Sequence, residues 1–175
     1  MKKLIIALIL AIPFFAHAET KTVESVDLNR YLGNWYEIAS IPQSFSKDCF
    51  CTRARYGLRD DGKISVYNTC NKGSITGKLS EANGVARVSD TKTNAKLRVT
   101  FFWPFSGDYW SIGLDASYRY AVVSNKTGTT LWILSRTPVL EPALLTEALN
   151  TATTNGIDVK KLNYTTQEGC SYPAP

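Results

Sequence analysis

The residues that could do chemistry in this chain are few: four cysteines, one histidine and a widely spaced tryptophan–arginine pair. The histidine, His17, sits in Ala16-His17-Ala18 at the end of an apolar leader. Beyond it the chain has no imidazole, the commonest general base and metal ligand. That argues against a Ser-His or Cys-His hydrolase, and no catalytic residue is expected. The cysteines are Cys49, Cys51, Cys70 and Cys170. Cys-x-Cys lacks the two-residue spacer of zinc sites and the other two are isolated, so no metal is expected. An even count in an exported chain points instead to two disulfides. Three pairings are open, and spacing does not choose among them. Trp35 and Arg136 are the remaining pair: a planar guanidinium can stack on an indole face, more strongly where water is excluded.

The leader sets the compartment. Lys2 and Lys3 are followed by an apolar run, Leu4 to Phe15, too short to span a bilayer, and then by the small-x-small site. Cleavage after Ala18 is expected, with residues 1–18 as signal peptide and 19–175 as one domain. Lipid tethering would need a cysteine directly after the cut. Glu19 stands there, so a soluble periplasmic or secreted protein is expected. Losing two lysines takes the net charge from +5 to +3. The remaining basic residues are dispersed, which argues against nucleic acid as a partner and leaves a mild pull toward anionic headgroups.

The elements that must position these residues read as short strands. Apolar and polar residues alternate in runs broken by turn signals, the pattern of antiparallel strands closing on themselves. Asp60-Asp61-Gly62-Lys63 predicts a hairpin turn between Arg53–Leu58 and Ile64–Thr69. Glu81-Ala82-Asn83-Gly84 and Asn125-Lys126-Thr127-Gly128 predict two more. In Ala95–Trp103 the odd positions are apolar, and in Trp110–Leu114 the even ones. Period two then places Leu97, Val99, Phe101, Trp103, Trp110, Ile112 and Leu114 on one inward wall. Such a barrel is filled by its own side chains or holds one ligand, and the period does not distinguish these. One helix is predicted around Glu141–Leu149, with Pro142 at its start, Leu145 and Leu149 on its buried face and Asn155-Gly156 as its stop. Asp27 is placed to cap a helical turn over 28–32.

Three motifs carry a family resemblance. They are Gly33-Asn34-Trp35-Tyr36-Glu37-Ile38-Ala39, the Asp115-x-x-Tyr118 turn, and Leu131–Pro138 with Arg136. In this order they resemble the lipocalin signature, and Arg53–Leu58 and Phe101–Phe105 are similar to the branch of bacterial outer-membrane lipocalins (Blc) and apolipoprotein D. The threonine often found before that aspartate is replaced by Leu114. The resemblance implies an all-β fold: an eight-stranded antiparallel up-and-down barrel with one C-terminal α-helix packed outside. It assigns Gly33, Trp35, Asp115, Tyr118 and Arg136 to the closed end, as fold markers rather than ligand contacts. It also implies a Cys51–Cys170 bridge to the C-terminal tail, which leaves Cys49–Cys70, with Cys51–Cys70 as the runner-up. The implied function is storage or transport of a fatty acid, lysophospholipid or similar lipid in a partly vacant, oily cavity, without catalysis and without a cofactor. Pigment or siderophore binding and an envelope role at a membrane or protein surface are the alternatives, and a cavity enzyme is the weakest. Lys96 and Arg98 are read as outward, against a siderophore. The segment 101–105 is a candidate surface for a membrane, a partner or a second copy, so monomer and homodimer both stay open.

Overall fold

The computed structural model describes residues 19–172, and the leader read over 1–18 lies outside them. Period-two alternation builds a continuous ring. A short helix α1 (Leu28–Tyr31) leads into β1 (Gly33–Ser40), β2 (Cys49–Leu58), β3 (Ile64–Lys72), β4 (Lys78–Val88), β5 (Lys96–Phe102), β6 (Phe105–Leu114), β7 (Tyr120–Ser124) and β8 (Leu131–Ser135). Helix α2 (Pro142–Thr154) and a two-residue strand β9 (Asn163–Tyr164) follow. Each strand pairs antiparallel with the next, and β1 pairs with both β8 and β2, which closes an eight-stranded barrel.

The closure has two parts. Gly33–Tyr36 of β1 pair directly with Arg53–Tyr56 of β2. Beyond Tyr36 the two strands separate and the C-terminal segment enters between them. Strand β9 pairs with Ala39 and Ser40. The Thr165 amide donates to the Ile38 carbonyl at 3.0 Å and the Cys51 amide to the Thr166 carbonyl at 3.0 Å. The Gln167 side-chain amide donates to the Glu37 and Thr52 carbonyls at 2.7 and 2.8 Å. These contacts satisfy strand edges that would otherwise be open, since buried backbone groups need partners. The disulfide Cys51–Cys170 pins the segment, and Cys49–Cys70 joins the starts of β2 and the ends of β3.

The apolar residues divide into two clusters. Trp35, Tyr56, Ile64, Val66, Leu97, Val99, Val123 and Leu134 fill the barrel. Trp110, Ile112, Val122, Leu131 and Ile133 lie outside it, against Leu144, Ala148 and Ala152 of α2. Both faces of β7 are covered, so all its residues are buried. The helix lies so close that a Cβ on Gly113 would be 2.8 Å from the Thr151 methyl. Its buried face is Leu144-Ala148-Ala152, and Leu145 and Leu149, the expected centre, flank that face. Pro142 starts the helix, and Gly156, at φ +75°, follows its cap Asn155.

One predicted turn is corrected. Residues 81–84 lie inside β4, and the β3–β4 connection is at 73–77. Asn83-Gly84 mimics a hairpin signal, but Gly84 is bare for another reason: the Phe101 ring sits 2.9 Å from where its Cβ would be.

The two disulfides close loops of different length, with sequence separations of 21 and 119. On the chain-entropy account the longer one stabilises by roughly 1.5 kcal/mol more. C51S/C170S is therefore expected to lower the urea midpoint further than C49S/C70S, and equal losses would overturn the role given to the tail.

Candidate functional site: the barrel interior and its two ends

One end of the barrel is shut by a single cation. Helix α1 ends at Tyr31, and its turn into β1 leaves carbonyls pointing at the axis. Arg136, just past β8, meets them: Nη1 donates to the Leu32 and Asn34 carbonyls at 2.8 and 2.9 Å, and Nη2 to the Arg30 carbonyl at 2.5 Å. Its guanidinium carbon stands 3.8 Å from the Trp35 ring centroid. Gly33, at φ +92°, lets the backbone pass, and a Cβ there would lie 3.5 Å from Nη1. Trp35 is fully buried and donates its indole N–H to the Tyr31 carbonyl at 2.8 Å. Asp115 organises the neighbouring loop by accepting from the Ser117 and Arg119 amides, and the Arg119 guanidinium holds its carboxyl below the usual range. Tyr118 accepts from the Asp27 amide through its hydroxyl at 2.8 Å and lies 4.1 Å under Arg30.

Above that plug lies a floor the sequence reading missed. The hydroxyls of Tyr31 and Tyr56 meet the Tyr109 hydroxyl at 2.8 and 2.9 Å. Burial pushes the Tyr56 phenol up to about 12, and Tyr31 and Tyr109 are raised by the same cause. The rings pack edge-on and tilted at 5.8 to 6.5 Å. They leave a void of about 10 Å³ beside Leu97 and Val99, room for about one water. The lower barrel is packed around that void by the interior cluster.

The seven residues expected on one wall divide three ways. Leu97, Val99 and Leu114 pack with the interior cluster. Trp110 and Ile112 face outward, against the cluster under α2. An irregularity between Ser111 and Gly113 adds one residue to β6, which shifts the pleat. Tyr109, opposite Leu97, takes the inward place expected of Trp110. Lys96, as expected, points out, 3.9 Å from the Trp110 ring. Phe101 rests against Gly84 near the mouth and is 37% exposed. Trp103 lies past the end of β5 in the β5–β6 hairpin and is 88% exposed, alongside Phe102 and Phe105 at 80% and 78%. Higher on the inner wall is a buried carboxyl, Glu37. Its Oε1 accepts from Ser40 at 3.1 Å and from Thr165 at 2.6 Å, and burial raises its pKa. Among the described residues no cluster of histidine, cysteine or acidic residues could hold a metal.

A model of the lipocalin-like domain matches residues 26–167. The chain belongs to the lipocalin family. It is 41% identical to the outer membrane lipoprotein Blc of Escherichia coli K12 over 147 residues, covering 84% of this chain and 82% of that protein. It is 36% identical to apolipoprotein D of Bos taurus, over 84% of this chain and 80% of that protein. Among solved structures, insecticyanin of Manduca sexta superposes with a TM-score of 0.70 at 25% identity, over 87% and 88% of the two chains. These lipocalin matches extend across the barrel and its closed end.

Two outcomes test the plug and floor. R136K keeps the charge but not the planar fork, so it is expected to cost about 2–4 kcal/mol in urea unfolding. A loss under about 0.5 kcal/mol would remove Arg136 from its role. The tyrosines give a pH signature. Unfolded phenols ionise near pH 10, at about their ordinary value, whereas the folded floor holds its protons. Stability from this source is full below about pH 10 and is lost as pH rises toward 12, the Tyr56 value. A denaturation midpoint flat from pH 10 to 12 would contradict it.

Proposed function

We propose that this lipocalin binds a long-chain amphiphile, a fatty acid or lysophospholipid, in the barrel and stores or carries it in the exported compartment without transforming it. The observation that carries the reading is the contrast between the two ends. One is sealed by Arg136, Trp35 and the hydrogen-bonded tyrosines. The other ends in exposed aromatics around a mouth with no comparable plug among the described residues. The acyl chain enters at that mouth and runs past Phe101 down the inner wall toward Val99 and Leu97, with its head outside. The void at the floor holds only about one water, so uptake is coupled to side-chain movement. Phe101, partly exposed and resting on the bare backbone of Gly84, is the movable wall. Burial of hydrocarbon supplies the affinity, on the order of 25 cal/mol per Å² before association costs.

Kinship to proteins named as an outer membrane lipoprotein and an apolipoprotein supports a lipid ligand and an envelope setting. Glu19 after the expected cleavage site favours a soluble form over a lipid-tethered one. Native mass spectrometry of the exported protein, with extraction of what co-purifies, is expected to recover amphiphile. A barrel that yields none and takes up none on titration would overturn the reading.

Register and ligand can be tested together. Trp132 packs with the interior cluster and Trp110 with the outer one. A brominated fatty acid is expected to quench Trp132 fluorescence. W132F therefore loses more of the quenching than W110F. The reverse order would place the chain outside the barrel.

A further inference from the structure

A broad depression lies on the outside of the barrel. It measures about 980 Å³, and the walls include Arg55, Arg59, Lys63 and Arg87, with Asp61 as the one acidic residue and Trp103 at an edge. The register explains the grouping. Tyr56 and Val66 belong to the interior cluster, so their neighbours Arg55 and Tyr67, directly paired across β2 and β3, point outward. Likewise Ala86 points in and Arg87 out, opposite Arg98 on β5. Asp61 is committed to Arg59 and Lys63 at 3.1 and 3.0 Å. Arg98 is engaged by Asp108, and Glu81 is hydrogen-bonded to Tyr67. Arg55 stands 5.3 Å over the Tyr67 ring with no carboxylate partner, and the exposed Arg87 side chain has no ion-pair or hydrogen-bond partner among the described residues.

Strand β5 leads from this cationic face into the β5–β6 hairpin, where Phe102 pairs with Phe105 and Trp103 stands between them. Large aromatics this exposed at a hairpin tip hold apolar surface in water, a cost that a partner surface relieves. Aromatic tips beside cations match a membrane interface: rings sit at headgroup depth, and arginines meet phosphates. A second copy is disfavoured, because a two-fold contact would set the same cations against each other.

We propose that the outer β2–β5 face and the β5–β6 tip together dock the barrel on an anionic phospholipid bilayer, the aromatics seated in the interface and Arg55 and Arg87 against lipid phosphates. The proposal rests on the amphiphile-carrier reading and names where the carrier meets its donor membrane: the tip that enters the interface continues into β5, whose Phe101 borders the mouth. Docking there presents the mouth to the lipid surface.

The test is co-sedimentation of the mature, oxidised protein with vesicles of phosphatidylcholine alone or mixed with phosphatidylglycerol. Wild type is expected to bind the mixed vesicles at least about tenfold more tightly, with the preference collapsing between about 0.1 and 0.5 M salt. R55E/R87E is expected to lose that preference while binding a fluorescent fatty acid normally in vesicle-free solution. R87E alone, whose side chain supports no other contact, is expected to lose at least about fivefold and keeps the test open if the double variant fails to fold. F102S/W103S weakens binding to both vesicle types. Equal binding to both by wild type would overturn the proposal, as would wild-type affinity in R87E. Stoichiometric capture of a monomeric, short-chain phosphatidylglycerol without vesicle binding would also overturn it, by making the groove a single-ligand site. Loss of fatty-acid binding in wild type would instead count against the carrier reading, whatever the vesicles show.

Discussion

A closed sheet must be shut somewhere, and here one guanidinium does it. The turn from α1 into β1 leaves three carbonyls, of Arg30, Leu32 and Asn34, facing a space that side chains must exclude from water. Each would be costly if buried alone. Arg136 answers all three with a rigid planar fork while its face covers Trp35. The indole in turn returns its N–H to the Tyr31 carbonyl. The tyrosine floor is built on Tyr31, so its position depends on the same clamp. The contacts span residues 30 to 136 and tie the first strand to the last, which is what a barrel requires and a helix–sheet layer does not.

The elements that could be read from the sequence are those in which local pattern and tertiary demand agree. Asp27 capping α1, the Asp61-Gly62 hairpin, the Asn125–Gly128 turn and the inward Leu97 and Val99 each follow from a nearby residue type. Trp110 and Ile112 did not, for a definable reason. Period two tells which residues share a face, and it loses that information at an inserted residue. Both sides of β6 also carry large apolar groups, because one side meets the barrel and the other meets α2. Hydrophobicity alone cannot orient a strand buried on both faces. The small residue that breaks the pattern, Gly113, was the available signal: its bareness marks where the helix comes close.

The candidate site was less legible than the fold. Nothing local marks Tyr31, Tyr56 and Tyr109 as a set, since they come from α1, β2 and β6 and meet only when the ring closes. Glu37 is similar. A glutamate in a strand is ordinarily solvated, and its donors here are Ser40, three residues on, and Thr165, from a tail whose insertion between β1 and β2 depends on Cys170. Such polar groups are informative because each buried one needs a partner that only tertiary structure supplies.

These features set a gradient of firmness along the axis. At the floor, aromatic rings, three hydroxyls and a guanidinium satisfy one another, and a change in one leaves another unpaired. Toward the mouth the contacts become single and replaceable: Phe101 rests on a glycine, and the hairpin beyond it holds its rings in solvent. A binding protein needs this division, because the same apolar residues that would welcome a ligand would otherwise collapse on one another in its absence. The packed floor fixes the ring's diameter through its hydrogen bonds, so the mouth can rearrange without the sheet losing its closure.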